Sequence, residues 1–206
     1  MDQITSALKT LGPAHYAEFV GTFIFLSAIT RANGPNATLK LSAALALAAF
    51  IVGDISGGHM NPAVSGMLYL KGGSGALSQE QSGLYVAMQV AGGLAAAMVN
   101  SLLNSDPIGT KMSGISLSRF LAECLGTMIF FSGILASGGK PWVVGLSLYI
   151  AANIVGDVSG GHLNPAVTTM QLFRGQINVV NALGYIGSQC AGAWLTLELN
   201  KQLHTN

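Results

Sequence analysis

Charge is what this chain has least of. Of its 206 residues only 8% are Asp, Glu, Lys or Arg, where soluble domains carry about 25%. So few charges cannot solvate a globular surface, and lipid is the expected environment for much of it. The balance is nearly neutral, nine Lys and Arg against eight Asp and Glu. That gives no argument for nucleic acid or for an acidic partner. Cysteine is almost absent as well. Cys124 and Cys190 lie inside apolar stretches, outside any metal-ligand spacing, and read as small buried residues. A nucleophile–base set, a phosphate loop and a metal cluster are also missing, so no enzyme activity, cofactor or metal is expected. The opening MDQITSALKT lacks the basic region, apolar core and cleavage site of a removable signal.

Apolar residues are what is abundant: 50% of the chain is hydrophobic and the mean hydropathy is +0.53. Six candidate spans run near 14–32, 40–55, 82–101, 117–137, 141–156 and 179–199. Most reach the roughly 17–25 residues that a membrane helix needs, while the second and fifth look short.

Polar, turn-rich stretches interrupt this pattern twice. GDISGGHMNPAV starts at Gly53 and GDVSGGHLNPAV at Gly156, and residues 53–72 and 156–175 share twelve of twenty identities. Upstream, AEFVGTFIFLS (17–27) matches AECLGTMIFFS (122–132). Downstream, Tyr85, Gln89, Ala91 and Gly92 match Tyr185, Gln189, Ala191 and Gly192. The chain is a duplicated unit of about a hundred residues, too long for the roughly 20–50-residue periods of solenoids. Each unit supplies three spans, an odd number. The second must therefore enter the membrane the other way up, as an inverted repeat of 1–105 and 106–206.

In such a repeat the two motifs approach the midplane from opposite sides. Irregular backbone is tolerated at that depth only where protein or a watery cavity surrounds it. Asn-Pro reads as a helix start, Asn capping and Pro fitting the first turn. Pro62 to Leu70 would make a half-helix of about 13 Å. Two such half-helices meeting at their N-termini complete one further apparent span. Their positive ends at the midplane oppose cations and protons. Asn61 and Asn164 place side-chain amides at that level, where they can orient a neutral molecule.

With its paired Asn-Pro-Ala motifs, the chain resembles the aquaporin family (major intrinsic proteins). The motif residues are Asn61, Pro62 and Ala63, then Asn164, Pro165 and Ala166. Glu18, Gly21-Thr22, Gln89, Glu123 and Gly126-Thr127 extend the resemblance over essentially the whole sequence. It implies an all-α membrane protein of six transmembrane helices plus two re-entrant half-helices, with cytoplasmic termini. It also implies a homotetramer with one pore per subunit, passing water or small neutral solutes passively. Charge bias does not fix the orientation: Lys9, Lys71, Lys140 and Lys201 fall inside, Arg31, Lys40, Lys111, Arg119 and Arg174 outside.

The family's second constriction normally includes an arginine directly after the second Asn-Pro-Ala, where this chain has Val167. Family spacing assigns Leu41, Ala152 and Gly161 to the other three positions, with Asn153 replacing Ala152 if the register slips by one. Thr168 stands where glycerol-conducting members carry an acidic residue. A small apolar ring without a fixed cation implies a wide mouth that admits several small neutral solutes besides water.

Two readings stay open for the carboxylates. Glu18 and Glu123 lie in apolar spans, where an ionisable group is functional by default. They either brace the re-entrant loops, paired with His59 and His162, or couple protons in a secondary transporter. His162 departs from the family pattern and either braces its loop or faces the pore. Asp54 and Asp157 are expected near the pore mouths, helping to fold the loops. The Gly-rich helices read as close packing. A membrane adhesion or scaffold protein is a third class, which would conduct nothing.

Overall fold

Eight helices form among the described residues (10–32, 34–73, 76–103, 112 and 114–204) of the computed structural model. They are α1 (Pro13–Ile29), α2 (Ala37–Ser56), α3 (Pro62–Lys71), α4 (Gln79–Leu102), α5 (Leu117–Ser137), α6 (Pro141–Ser159), α7 (Pro165–Phe173) and α8 (Val179–Leu203). The six expected spans correspond to α1, α2, α4, α5, α6 and α8, and the two half-helices to α3 and α7. By length and composition alone, α2, α4, α5 and α6 are apolar enough to cross a membrane. Lys9 and Lys111 lie outside the described residues.

One expectation needs correction. The second and fifth spans are not short, since α2 has 20 residues and α6 has 19. The motif's first four residues belong to the helix rather than the loop. Gly53 and Gly156 are helical, and their carbonyls accept the capping N–H of Gly57 and Gly160 at 2.8 Å each. Gly57 and Gly160 adopt left-handed φ values of 86° and 84°, which a side chain would strain and which end the helix. Asp54 and Asp157 sit exposed on the last helical turns.

The packing is laid out twice. α1 lies against α2 and α4, and α5 lies against α6 and α8 in the same way, while α2 against α6 joins the halves. Each half-helix then reaches across: α3 packs on α4 and on α8, and α7 on α8 and on α4. Glycines set how closely the long helices approach. A Cβ on Gly92 would stand 2.5 Å from the Phe19 carbonyl oxygen, and one on Gly192 2.5 Å from that of Cys124. The core drawn from both halves includes Leu26, Ala48, Met60, Phe131, Ala151, Leu163 and Met170, none with any exposure. Outward, Leu47, Phe50, Leu121, Leu146, Ile154, Leu183 and Trp194 stand exposed. That surface suits hydrocarbon rather than water.

Candidate functional site

Asn61 and Asn164 organise the midplane. Each caps its half-helix, Asn61 Oδ1 accepting from the Ala63 N–H at 3.0 Å and Asn164 Oδ1 from the Ala166 N–H at 2.8 Å. Pro62 and Pro165 occupy the first helical positions, where a missing N–H costs nothing. The amide nitrogens cross over. Asn61 Nδ2 donates to the Leu163 carbonyl and Asn164 Nδ2 to the Met60 carbonyl, both at 2.9 Å. Each NH₂ has two protons, so one remains beyond the cross-tie. Both asparagines are nearly buried, and both line the cavity described below.

Met60 and Leu163 make the crossing work. They are the only non-glycine residues at positive φ among those described, at 47° and 50°. Left-handed backbone at such residues costs on the order of 1–3 kcal/mol and persists where its surroundings over-determine it. Here the following Asn caps a helix, the preceding N–H is held by a carboxylate, and the side chain is wedged against glycine. A Cβ on Gly21 would lie 2.8 Å from Met60 Sδ, and one on Gly126 2.6 Å from Leu163 Cδ2.

The carboxylates hold the loops from behind. Glu18 is fully buried and accepts four hydrogen bonds: Ser56 Oγ (2.7 Å) and His59 N (2.9 Å) on Oε1, Met60 N (2.7 Å) and Gln89 Nε2 (2.7 Å) on Oε2. Glu123 repeats the set with Ser159 Oγ (2.7 Å), His162 N (2.9 Å), Leu163 N (2.8 Å) and Gln189 Nε2 (2.7 Å). The expected Glu18–His59 and Glu123–His162 pairings thus run through the histidine main chain, not the ring. The rings bond elsewhere, His59 Nδ1 to Ser65 Oγ at 3.0 Å and His162 Nδ1 to Thr168 Oγ1 at 3.1 Å. Tyr85 and Tyr185 stand edge-on to them, at centroid distances of 5.2 and 5.0 Å. The tyrosine hydroxyls donate to the Ser56 and Ser159 carbonyls.

Sequence reasoning left out Ser56, Ser65, Ser159, Met60, Leu163 and the two tyrosines' roles. The signal was there, since each recurs in the second half as the same or a similar residue.

Two cavities adjoin along this site, sharing Phe25, Leu148 and His162 in their walls. The smaller, about 300 Å³, is lined by Asn61, Asn164, His59 and, at one end, Lys71. The larger, about 720 Å³, is lined by all four residues assigned to the second constriction: Leu41, Ala152, Gly161 and Val167. Ala152 and Gly161 are direct neighbours, a Cβ on Gly161 standing 3.6 Å from the Ala152 Cα. Asn153, the alternative to Ala152, also reaches this wall, as do Asp157 and Arg119. His162 lines both cavities, and its Nδ1 is hydrogen-bonded to Thr168 Oγ1.

Long apolar helices, interrupted by two half-helices that meet at a cavity wall, define a multi-pass integral membrane protein. The family model for Major intrinsic protein matches residues 6–141 and 110–206, and the chain belongs to that family. It is 29% identical to an aquaglyceroporin of Rhizobium meliloti over 200 residues, covering 91% of this chain and 84% of that protein. It is also 29% identical to a probable aquaporin of Arabidopsis thaliana, over 73% of this chain and 62% of that one. A glycerol uptake facilitator-like protein of Lactiplantibacillus plantarum is 40% identical over 85 residues, 37% of this chain and 39% of its own length. The fold matches the crystal structure of the aquaglyceroporin from Plasmodium falciparum with a TM-score of 0.78. That match covers 94% of this chain and 96% of the other at 19% identity.

Proposed function

We propose that this protein is a passive transmembrane channel for water and small neutral solutes of the glycerol, urea or ammonia type. It is one domain built of inverted repeats 1–105 and 106–206, and it works as a homotetramer with a pore in each subunit. The observation that carries the reading is the reciprocal tie of Asn61 and Asn164 in the wall of the smaller cavity, which adjoins the larger one. It turns two half-helix N-termini towards one point, where their partial positive charge opposes cations and protons. A neutral solute meets amide protons there instead. At the second constriction Leu41, Ala152, Gly161 and Val167 place no charge, so the mouth is wide and charge exclusion falls on the half-helix dipoles. Glu18 and Glu123 hold the loops, and His59 and His162 give the permeant polar contacts beside the asparagines. Similarity to an aquaglyceroporin and to a glycerol uptake facilitator-like protein supports this substrate class.

The coupled-transporter alternative gains nothing. Both deep carboxylates already accept four hydrogen bonds apiece from their own loop and helices, which commits both oxygens of each to holding the fold. Purified protein in lipid vesicles tests the proposal by swelling rate over a graded series of solutes. Flux driven only by the solute's own gradient is expected. Uphill accumulation on a proton or sodium gradient, or no flux above empty vesicles, would sink it.

A further inference from the structure

We infer that the size-selecting segment of this pore lies in the first-half cavity, walled by Gly58, Val64, Leu68 and Val144. It lies across the asparagine pair from the ring of Leu41, Ala152, Gly161 and Val167. This rests on the channel reading and names the residues that set its solute range.

The repeat points to these positions. Val64 and Val167 are related by the 53-to-156 shift of the motif, as are Gly58 and Gly161, Leu41 and Val144, and Ala49 and Ala152. The structure repeats the geometry: a Cβ on Gly58 would lie 3.4 Å from the Ala49 Cα, against 3.6 Å for Gly161 and Ala152. Gly58, Val64 and Val144 then line the smaller cavity just as Gly161, Val167 and Leu41 line the larger one. Three of the four counterparts of the second constriction therefore wall the cavity on the far side of the midplane, with Ala49 packed against Gly58.

Volume and chemistry decide which ring discriminates. The second-half cavity is about 720 Å³ and its wall carries Arg119, Asn153, Asp157, Gln171 and Gln176, so a solute there keeps its water. The first-half cavity is about 300 Å³. Leu68 occupies the place that Gln171 has opposite, and Phe130 faces the lumen beside Val144. The cavity's polar groups come from the two loops, through His59, Asn61, His162 and Asn164, and from Lys71, whereas Val64, Leu68, Phe130 and Val144 form an apolar stretch. A solute passing that apolar stretch sheds hydration there and must fit between its side chains. With no arginine at Val167, nothing in the other half imposes that requirement first.

The test measures glycerol-to-water and urea-to-water permeability ratios in vesicles, with protein content normalised. One added methylene in a tight apolar site discriminates by about tenfold, so Val64→Leu should lower the glycerol ratio by about that factor. Val144→Leu installs the residue that the equivalent helix already carries at Leu41, and should act in the same direction if Val64→Leu does not fold. Leu68→Ala should raise the ratio. Val167→Leu and Leu41→Phe should each move it by less than the first-half changes do. Equal or larger effects from the Val167 and Leu41 changes overturn the inference while leaving the channel reading intact. A wild-type chain that passes neither water nor solute overturns the channel reading itself, and the inference with it.

Discussion

Asn61 Nδ2 and the Leu163 carbonyl oxygen stand 2.9 Å apart, and the bond is returned by Asn164 to Met60 at the same distance. Each half-helix cap is therefore anchored by the other half's loop. Asn→Asp at either position removes the crossing donor and sets a carboxylate against a carbonyl. It also cancels part of the positive potential of two helix ends. Asn61→Asp and Asn164→Asp should insert in membranes, lose about 1–3 kcal/mol of stability, and admit cations. Ion conductance in planar bilayers, read beside water flux, checks this. Unchanged flux with unchanged ion exclusion in both variants would remove the asparagines from the barrier.

Glu123→Ala leaves Ser159, Gln189 and two main-chain N–H groups without their acceptor. At about 1–3 kcal/mol for each buried group left unpaired, the expected result is loss of folded protein. Glu18→Ala should behave alike through the matching set. Yield of monodisperse protein in detergent and its Tm are the readouts. A Glu123→Ala protein that folds well and loses only a pH response would favour the proton-handling alternative.

Gly92→Ala and Gly192→Ala place a methyl 2.5 Å from a main-chain oxygen of the neighbouring helix. Backbone cannot turn aside as a side chain can, so overpacking of about 1–3 kcal/mol is expected at each site. Gly83→Ala on α4 and Gly187→Ala on α8 meet nothing within 4 Å and should leave Tm unchanged or raise it. Equal Tm values across all four variants would contradict the close α1–α4 and α5–α8 packing.

Much of this arrangement is written in the chain because it is written twice. Hydropathy marks the six long helices, and the repeat alone pairs Asn61 with Asn164 and Glu18 with Glu123. The ends of α2 and α6 were misjudged because Gly53 and Gly156 look like loop, although a helix tolerates them. Only the left-handed φ of Gly57 and Gly160 stops it, and residue type does not reveal φ. The histidines were paired with the carboxylates on chemical type, whereas the carboxylates take main-chain N–H groups that every residue possesses. Left-handed Met60 and Leu163 are invisible for a related reason: neither residue favours that conformation, and only the tertiary contacts around them impose it.

Val167→Arg brings a guanidinium with five donors to the wall shared by Ala152 and Gly161. It should narrow the larger cavity, suppress glycerol- and urea-sized solutes about fivefold relative to water, a barrier increase of about 1 kcal/mol, and reduce any proton leak. His162→Gly is the companion variant, because its imidazole reaches both cavities. Solute-to-water permeability ratios for the two separate their parts. A ratio untouched by Val167→Arg but changed by His162→Gly would place the histidine, and not Val167, at the constriction.

The cross-tie has a consequence for biosynthesis. The Glu18 cluster draws only on residues 18–89, so the first loop can be clamped as soon as α4 leaves the ribosome. Its half-helix, however, also packs on α8, and the acceptor for Asn61 is Leu163. Both belong to the second half and are made after the whole of the first. Until then α3 sits at membrane depth with one flank bare and the Asn61 amide unanswered. A helix of the second half therefore closes the first half of the pore, and a chain stalled between α4 and Leu163 presents an incomplete midplane to the cell's quality-control machinery.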